Sequence, residues 1–117
     1  MNAILIKATD EISIVTLEGD TREAMMEHVA GWLEHVCPRY LRSPYCLIVN
    51  EEGVLLDLPI NNAASLLYGG PIVGNVLILR DGINEDGEYD IVGLEEAEAK
   101  ALVATLRRDM AFLVTAE

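Results

Sequence analysis

Apolar residues in this chain come in short blocks cut by turn formers. The sharpest block is Val76-Leu77-Ile78-Leu79, held between Asn75 and Arg80. A run this short is the length of a buried strand. Residues 3–6 and 45–49 also read as strands. Residues 12–17 alternate, with Ile12, Ile14 and Thr16 on one side and Ser13, Val15 and Leu17 on the other. Residues 89–92 complete the strand set. Asn50-Glu51-Glu52-Gly53 reads as a turn, with Val54-Leu55-Leu56 returning as a hairpin partner. Residues 81–88 read as a polar loop.

Helical signals separate these blocks. Asp20 followed by Glu23 fits a capping box, which starts a helix near Thr21. Asn61 or Asn62 caps a short helix over residues 63–68, and Gly69-Gly70-Pro71 breaks it. From Leu94 onward, Leu102, Val103, Leu106, Met110 and Leu113 share one helical face. Residues 32–36 are ambiguous. Met25, Val29, Trp32, Leu33 and Val36 keep helical spacing, but Gly31 interrupts them at a cost of about 1 kcal/mol relative to Ala. Periodicity alone leaves helix and strand both open there. Strand groups alternating with helices predict an α+β fold. The expected architecture is a mixed or mainly antiparallel sheet with two longer helices and one short one. The 117 residues make one domain over 1–117, with no repeat or linker.

Charge limits what such a domain binds. The chain carries 20 acidic and 8 basic residues, a formal net charge of -12. That field repels a phosphate backbone and an anionic membrane surface, so neither nucleic acid nor membrane is an expected partner. The start, Met1-Asn2-Ala3-Ile4-Leu5-Ile6-Lys7, lacks the basic end and long apolar stretch of a signal peptide. Two cysteines, Cys37 and Cys46, are too few for a disulfide framework. A cytoplasmic setting with both thiols reduced is the expectation, although a Cys37–Cys46 hairpin disulfide is open in principle.

Four segments carry a family resemblance. They are Ala30-Gly31-Trp32-Leu33-Glu34, then Leu47-Ile48-Val49-Asn50-Glu51-Glu52-Gly53, then Leu58-Pro59-Ile60-Asn61-Asn62-Ala63-Ala64, and Pro71-Ile72-Val73-Gly74-Asn75-Val76-Leu77-Ile78. In this order the chain resembles the bacterial and phage family catalogued as domain of unknown function 3846. Its pattern looks like G-G-Y-I-E, V-N-E-x-G, L-P-x-N and I-x-G. The resemblance implies that residues 32–36 are extended and that the first helix ends by Gly31. It also implies a setting on phage and plasmid-like elements. It supplies no catalytic residue. Ala30 departs from the pattern by standing where the first glycine is expected, and the loop over residues 38–44 looks inserted.

Candidate chemistry is sparse. His28, His35 and Cys37 are the metal-ligand candidates besides carboxylates. If residues 32–37 form a strand, His35 and Cys37 share a face, yet no second pair stands at zinc spacing. A surface histidine and a buried thiol are the plainer account, so no metal or cofactor is expected. Aligning Asn84-Glu85-Asp86-Gly87 with a calcium loop puts Gly82 and Gly93 at positions that need acids, and the reading fails. The glycines of residues 69–74 lack the Lys and Ser/Thr of a phosphate loop. Neither Ser43 nor Ser65 sits in a nucleophile elbow, and the cysteines lack a His–acid arrangement. The expectation is a non-enzymatic protein.

Two binding sets remain. Asp81, Glu85, Asp86, Glu88, Asp90, Glu95, Glu96 and Glu98 are eight carboxylates in eighteen residues with no Lys or Arg among them. Read functionally, Asp81, Glu85, Asp86, Glu88, Asp90 and Glu95 form an acidic face for a basic protein partner, as an inhibitor or DNA mimic. The plainer meaning of such a run is a solvated face. The alternative set is Asn50, Glu51, Asn61, Asn62 and Asn75, a polar pocket for a small ligand. Asparagines at strand ends also cap and turn the chain without binding anything. Self-association through strand edges or faces is open.

Overall fold

The computed structural model describes residues 1–115. The elements run β1 (Asn2–Ile6), β2 (Ile12–Thr16), α1 (Thr21–Val29), β3 (Leu33–Val36), β4 (Tyr45–Asn50), α2 (Asn62–Tyr68), β5 (Val76–Ile83), β6 (Tyr89–Val92), α3 (Glu96–Asp109) and α4 (Ala111–Thr115). This is the expected α+β class. The six strands form one sheet in the order β2-β1-β5-β4-β3, with β6 also on β5. Every strand pair is antiparallel.

Strand β5 organises the sheet. Its first half pairs with β1, Ile4 opposite Ile78, and its second half pairs with β6, Arg80 opposite Val92. Arg80 also pairs with Tyr45 of β4, so β6 must lie on the edge opposite β4, in line with β1. An isolated bridge between Asn2 and Leu94 joins the two collinear strands.

The pleat then sorts side chains into two cores. Ile4, Ile6, Tyr45, Leu47, Val49, Val76 and Ile78 face α2 and α3, where Ala63, Leu67, Ala99, Val103 and Leu106 meet them. Ala3, Leu5, Cys46, Ile48, Leu77 and Leu79 face α1, against Met25 and Val29. Antiparallel sheets commonly leave one face wet. Here both faces are covered, which is why the central strands read as unbroken apolar runs.

Local chemistry explains the element ends. Asp20 Oδ1 accepts from the N–H groups of Arg22 and Glu23 at 3.0 and 3.2 Å. Helix α1 ends at Ala30, which takes the left-handed conformation at φ 62° and ψ 39°. That conformation suits glycine and costs an alanine about 1 kcal/mol or more. Gly31 follows because a Cβ there would stand 2.6 Å from Asn50 Nδ2. The chain then becomes extended in β3, settling the ambiguity of residues 32–36 as strand.

Four expectations need correction. Val54, Leu55 and Leu56 do not return as a hairpin strand. Residues 51–57 form successive turns, with Leu56 N–H donating to Glu52 O and Leu58 N–H to Gly53 O. Both edges of β4 are already filled by β3 and β5, so no edge was open to a returning strand. The polar loop expected over residues 81–88 is shorter, because β5 continues through Ile83 and pairs with β6. The buried thiol is Cys46, whereas Cys37 is exposed. Beyond α3 the helix also breaks at Met110, and α4 is separate.

Two stability changes follow. Ala30→Gly relieves the left-handed alanine but loosens the unfolded chain. A net gain of about 0.5–1 kcal/mol is expected from urea denaturation. Asn61→Ala removes a helix cap and two buried hydrogen bonds. It should cost about 2–4 kcal/mol in the same assay, with the fold retained by far-ultraviolet dichroism.

Candidate functional site

The asparagine set does not converge. Asn61 is fully buried. Its Nδ2 donates to Ile6 O at 3.0 Å and Gly74 O at 2.9 Å, while its Oδ1 accepts from Ala64 N–H at 3.0 Å. One amide thus ties β1, the approach to β5 and the start of α2. Asn50 Nδ2 donates to Val29 O and Ala30 O, and its Oδ1 accepts from Glu52 N–H. Asn75 Oδ1 accepts from Ala8 N–H at 3.0 Å. These amides are committed to the backbone. Asn50 and Glu51 line a cleft of about 110 Å³ that includes neither Asn61 nor Asn75. Asn62 is exposed and opens α2 elsewhere.

The acidic run is divided by the pleat. Asp81 lies opposite Ile91, and Gly82 opposite Asp90, so Asp81 and Asp90 point to opposite faces. Asp81 faces the α1 side with Leu77 and Leu79. Glu98 turns inward on the other side, accepting from Tyr45 Oη at 2.9 Å and pairing with Arg80 at 3.5 Å. Glu95 and Glu98 form the capping box of α3. Glu96 pairs with Lys100 at 3.0 Å. Asp81, Asp90, Glu95 and Glu96 are exposed as well, but they are spread over different faces, and the group that projects together is Glu85, Asp86 and Glu88 at the tip of the β5–β6 hairpin. Asn84 builds that tip, its Oδ1 accepting from the N–H groups of Asp86 and Glu88. Beside it, Ile83 and Tyr89 are directly paired across the strands, and Tyr89 is 90% exposed.

Next to that rung on the α1-side face, three strands bring unlike groups together. His35 of β3 sits 2.8 Å from Asp81 of β5, Nε2 to Oδ1, although 46 residues separate them. Cys46 of β4 lies between their strands, and one ligand atom from each of the three residues falls within 4.8 Å of the others. Burial pushes the Cys46 thiol up to about 12, helped by the negative charge of Asp81 and a hydrogen bond to it. Cys37 is close enough to push in the same direction. Sequence reading placed His35 on a face with Cys37 but missed Cys46 and Asp81. They join only through the sheet register, which places Leu47 opposite Val36 on one side and Ile78 on the other.

The two amide ties also explain the motifs that carried the resemblance. Asn50 holds Ala30 and packs on Gly31, while a Cβ at Gly53 would stand 2.7 Å from Val73. Separate sequence motifs are therefore one interlocked structure. A family model described as a domain of unknown function (DUF3846) matches residues 1–106. The chain belongs to that family. A search of curated proteins found no match to this DUF3846 chain. Among solved structures, it is similar to part of one titled "Crystal structure of small RNA methyltransferase HEN1", with a TM-score of 0.56 and 14% identity. The likeness covers 84% of this chain but 15% of that one, and it is a likeness of fold. Among the described residues, no helix of this DUF3846 protein is long and apolar enough to cross a membrane.

The buried thiol sets an alkaline limit. In the unfolded chain Cys46 loses its proton near pH 9.0, and in the folded chain only near 12. Between those values the native state holds more protons, so stability falls as pH rises, by up to about 1.4 kcal/mol per pH unit. Urea midpoints measured across that window should fall less steeply for Cys46→Ala than for the parent chain. Equal slopes would mean that the thiol is not held neutral by the fold.

Proposed function

We propose that this DUF3846 protein is a protein-binding module that presents the β5–β6 hairpin to a basic surface on its partner. The carrying observation is the composition of that hairpin. Glu85, Asp86 and Glu88 project together with no cation among them, and the exposed Tyr89–Ile83 pair stands beside them. Solvation alone would account for the carboxylates. It gives no reason for an aromatic and an isoleucine to be held in the open next to them. An apolar centre with a charged rim is the usual anatomy of a protein interface, and tyrosine is among the residues that anchor one.

The charges supply steering and the Tyr89–Ile83 pair supplies the desolvated contact. A partner that normally holds nucleic acid in a basic groove fits this surface. Occupying that groove would make the protein an inhibitor or DNA mimic, a role in keeping with the phage and plasmid setting that its sequence resemblance implies. Asp81, Glu95 and Glu98 belong to the fold's own contacts and contribute to the field rather than to the contact surface.

Affinity capture from nuclease-treated bacterial lysate, washed at low and high salt, tests this reading. The parent chain should retain a basic protein at low salt and release it near 1 M salt, where charges are screened beyond ~3 Å. Glu85→Gln, Asp86→Asn and Glu88→Gln combined should abolish that retention. Tyr89→Ala should weaken it without changing its salt dependence. Retention of the same proteins by the parent and the triple variant would sink the proposal.

A further inference from the structure

The geometry points to a zinc-type metal site formed by His35, Cys46 and Asp81 on the α1-side face of the sheet. The donor set is an imidazole, a thiol and a carboxylate, one from each of three adjacent strands. Mixed nitrogen, sulfur and oxygen sets of this kind suit zinc, which takes all three donor types. Two donors on a tetrahedral zinc stand ~3.3–3.7 Å apart, given bond lengths of about 2.0–2.3 Å. The three donor atoms here already fall within 4.8 Å of one another, with His35 Nε2 and Asp81 Oδ1 at 2.8 Å. An ion entering between them would push the imidazole and carboxylate slightly apart and draw the thiol inward.

Backbone register makes the arrangement stiff. Cys46 is fully buried and paired with Leu79, and the Asp81 N–H donates to Pro44 O at 2.8 Å, so two donors sit on strands pinned at that end. His35 and Asp81 are each roughly half exposed, which leaves a path for an ion from solvent. Cys37 is exposed and lies outside the three-donor cluster.

A structural reading competes with this one. The His35–Asp81 contact is a half-exposed hydrogen bond between an imidazole and a carboxylate, worth little by itself. It does not account for a thiol placed against the same carboxylate.

The test uses Co(II) on the reduced full-length protein, because thiolate ligation to cobalt gives a charge-transfer absorption that carboxylates cannot produce. Carrying Cys37→Ser leaves Cys46 as the sole thiol of the chain's two. That variant should bind one Co(II) with the charge-transfer band, and zinc should bleach it. Adding Cys46→Ala should remove the band. Adding His35→Gln or Asp81→Asn, both at half-exposed positions where folding should be spared, should weaken binding about tenfold or more, since loss of even an outer hydrogen-bond partner commonly costs that much. No band in the Cys37→Ser protein, or a band whose titration is unmoved by His35→Gln and Asp81→Asn, would overturn the assignment.

Discussion

Everything in this fold hangs on β5 being satisfied on four sides. Its two edges are hydrogen-bonded, to β4 on one side and to β1 and then β6 on the other. Its two faces are buried, by Val76 and Ile78 toward α3 and by Leu77 and Leu79 toward α1. An antiparallel sheet with a strand like this cannot rest on one helical layer. Each fully buried valine, isoleucine or leucine contributes about 1.5–3 kcal/mol by leaving water, and only two covered faces let all four do so. The need for cover on both sides places α1 opposite α2 and α3.

The same requirement makes the polar groups at the sheet's end indispensable. Where β1 stops at Ile6 and β5 has yet to begin, carbonyls of Ile6 and Gly74 face inward. Asn61 donates to both and caps α2 with its remaining oxygen. An unsatisfied carbonyl there would cost about 1–3 kcal/mol. Asn50 does the corresponding work at the other junction, holding the last carbonyls of α1. These two residues looked like a ligand's contacts in the sequence because the chemistry is identical. A buried amide that binds backbone and one that binds a ligand use the same donors and acceptor. What separates them is whether the partner is part of the chain, and that is a long-range fact.

The contrast between what was and was not legible follows from range. Asp20 acts on its neighbours, so the start of α1 was readable, and the continuous apolar run at residues 76–79 read as a buried strand. The end of α1 was not, because spacing left residues 32–36 open between helix and strand, and what requires Gly31 is Asn50, nineteen residues away. Val54-Leu55-Leu56 misled because apolar content says that a residue could pair, not that an edge is free. Asp81 misled in the opposite way. Its charge suggested a loop, yet it is a paired strand residue whose side chain finds His35 across β4. The acidic run looked like one surface in the sequence, and the period of two in a strand split it, putting Asp81 and Asp90 on opposite sides.

That splitting locates where this protein has freedom to do something. Over residues 76–79 both faces of β5 are committed to the core, and any change there is felt as lost packing. Beyond Leu79 the apolar cover ends, and the pleat begins to present polar groups: Arg80 toward Glu98 of α3, Asp81 toward His35 and Cys46, and then the bare Ile83–Tyr89 rung and its acidic tip. The strand that stabilises the fold by burial in its first half is held rigid in its second half by that same anchoring. A hairpin extending from so firmly fixed a strand loses little conformational freedom when it meets a partner, and donors carried on adjacent strands keep their spacing without one. The unburied half of β5 is thus the place where the cost of ordering a site has already been met by the core.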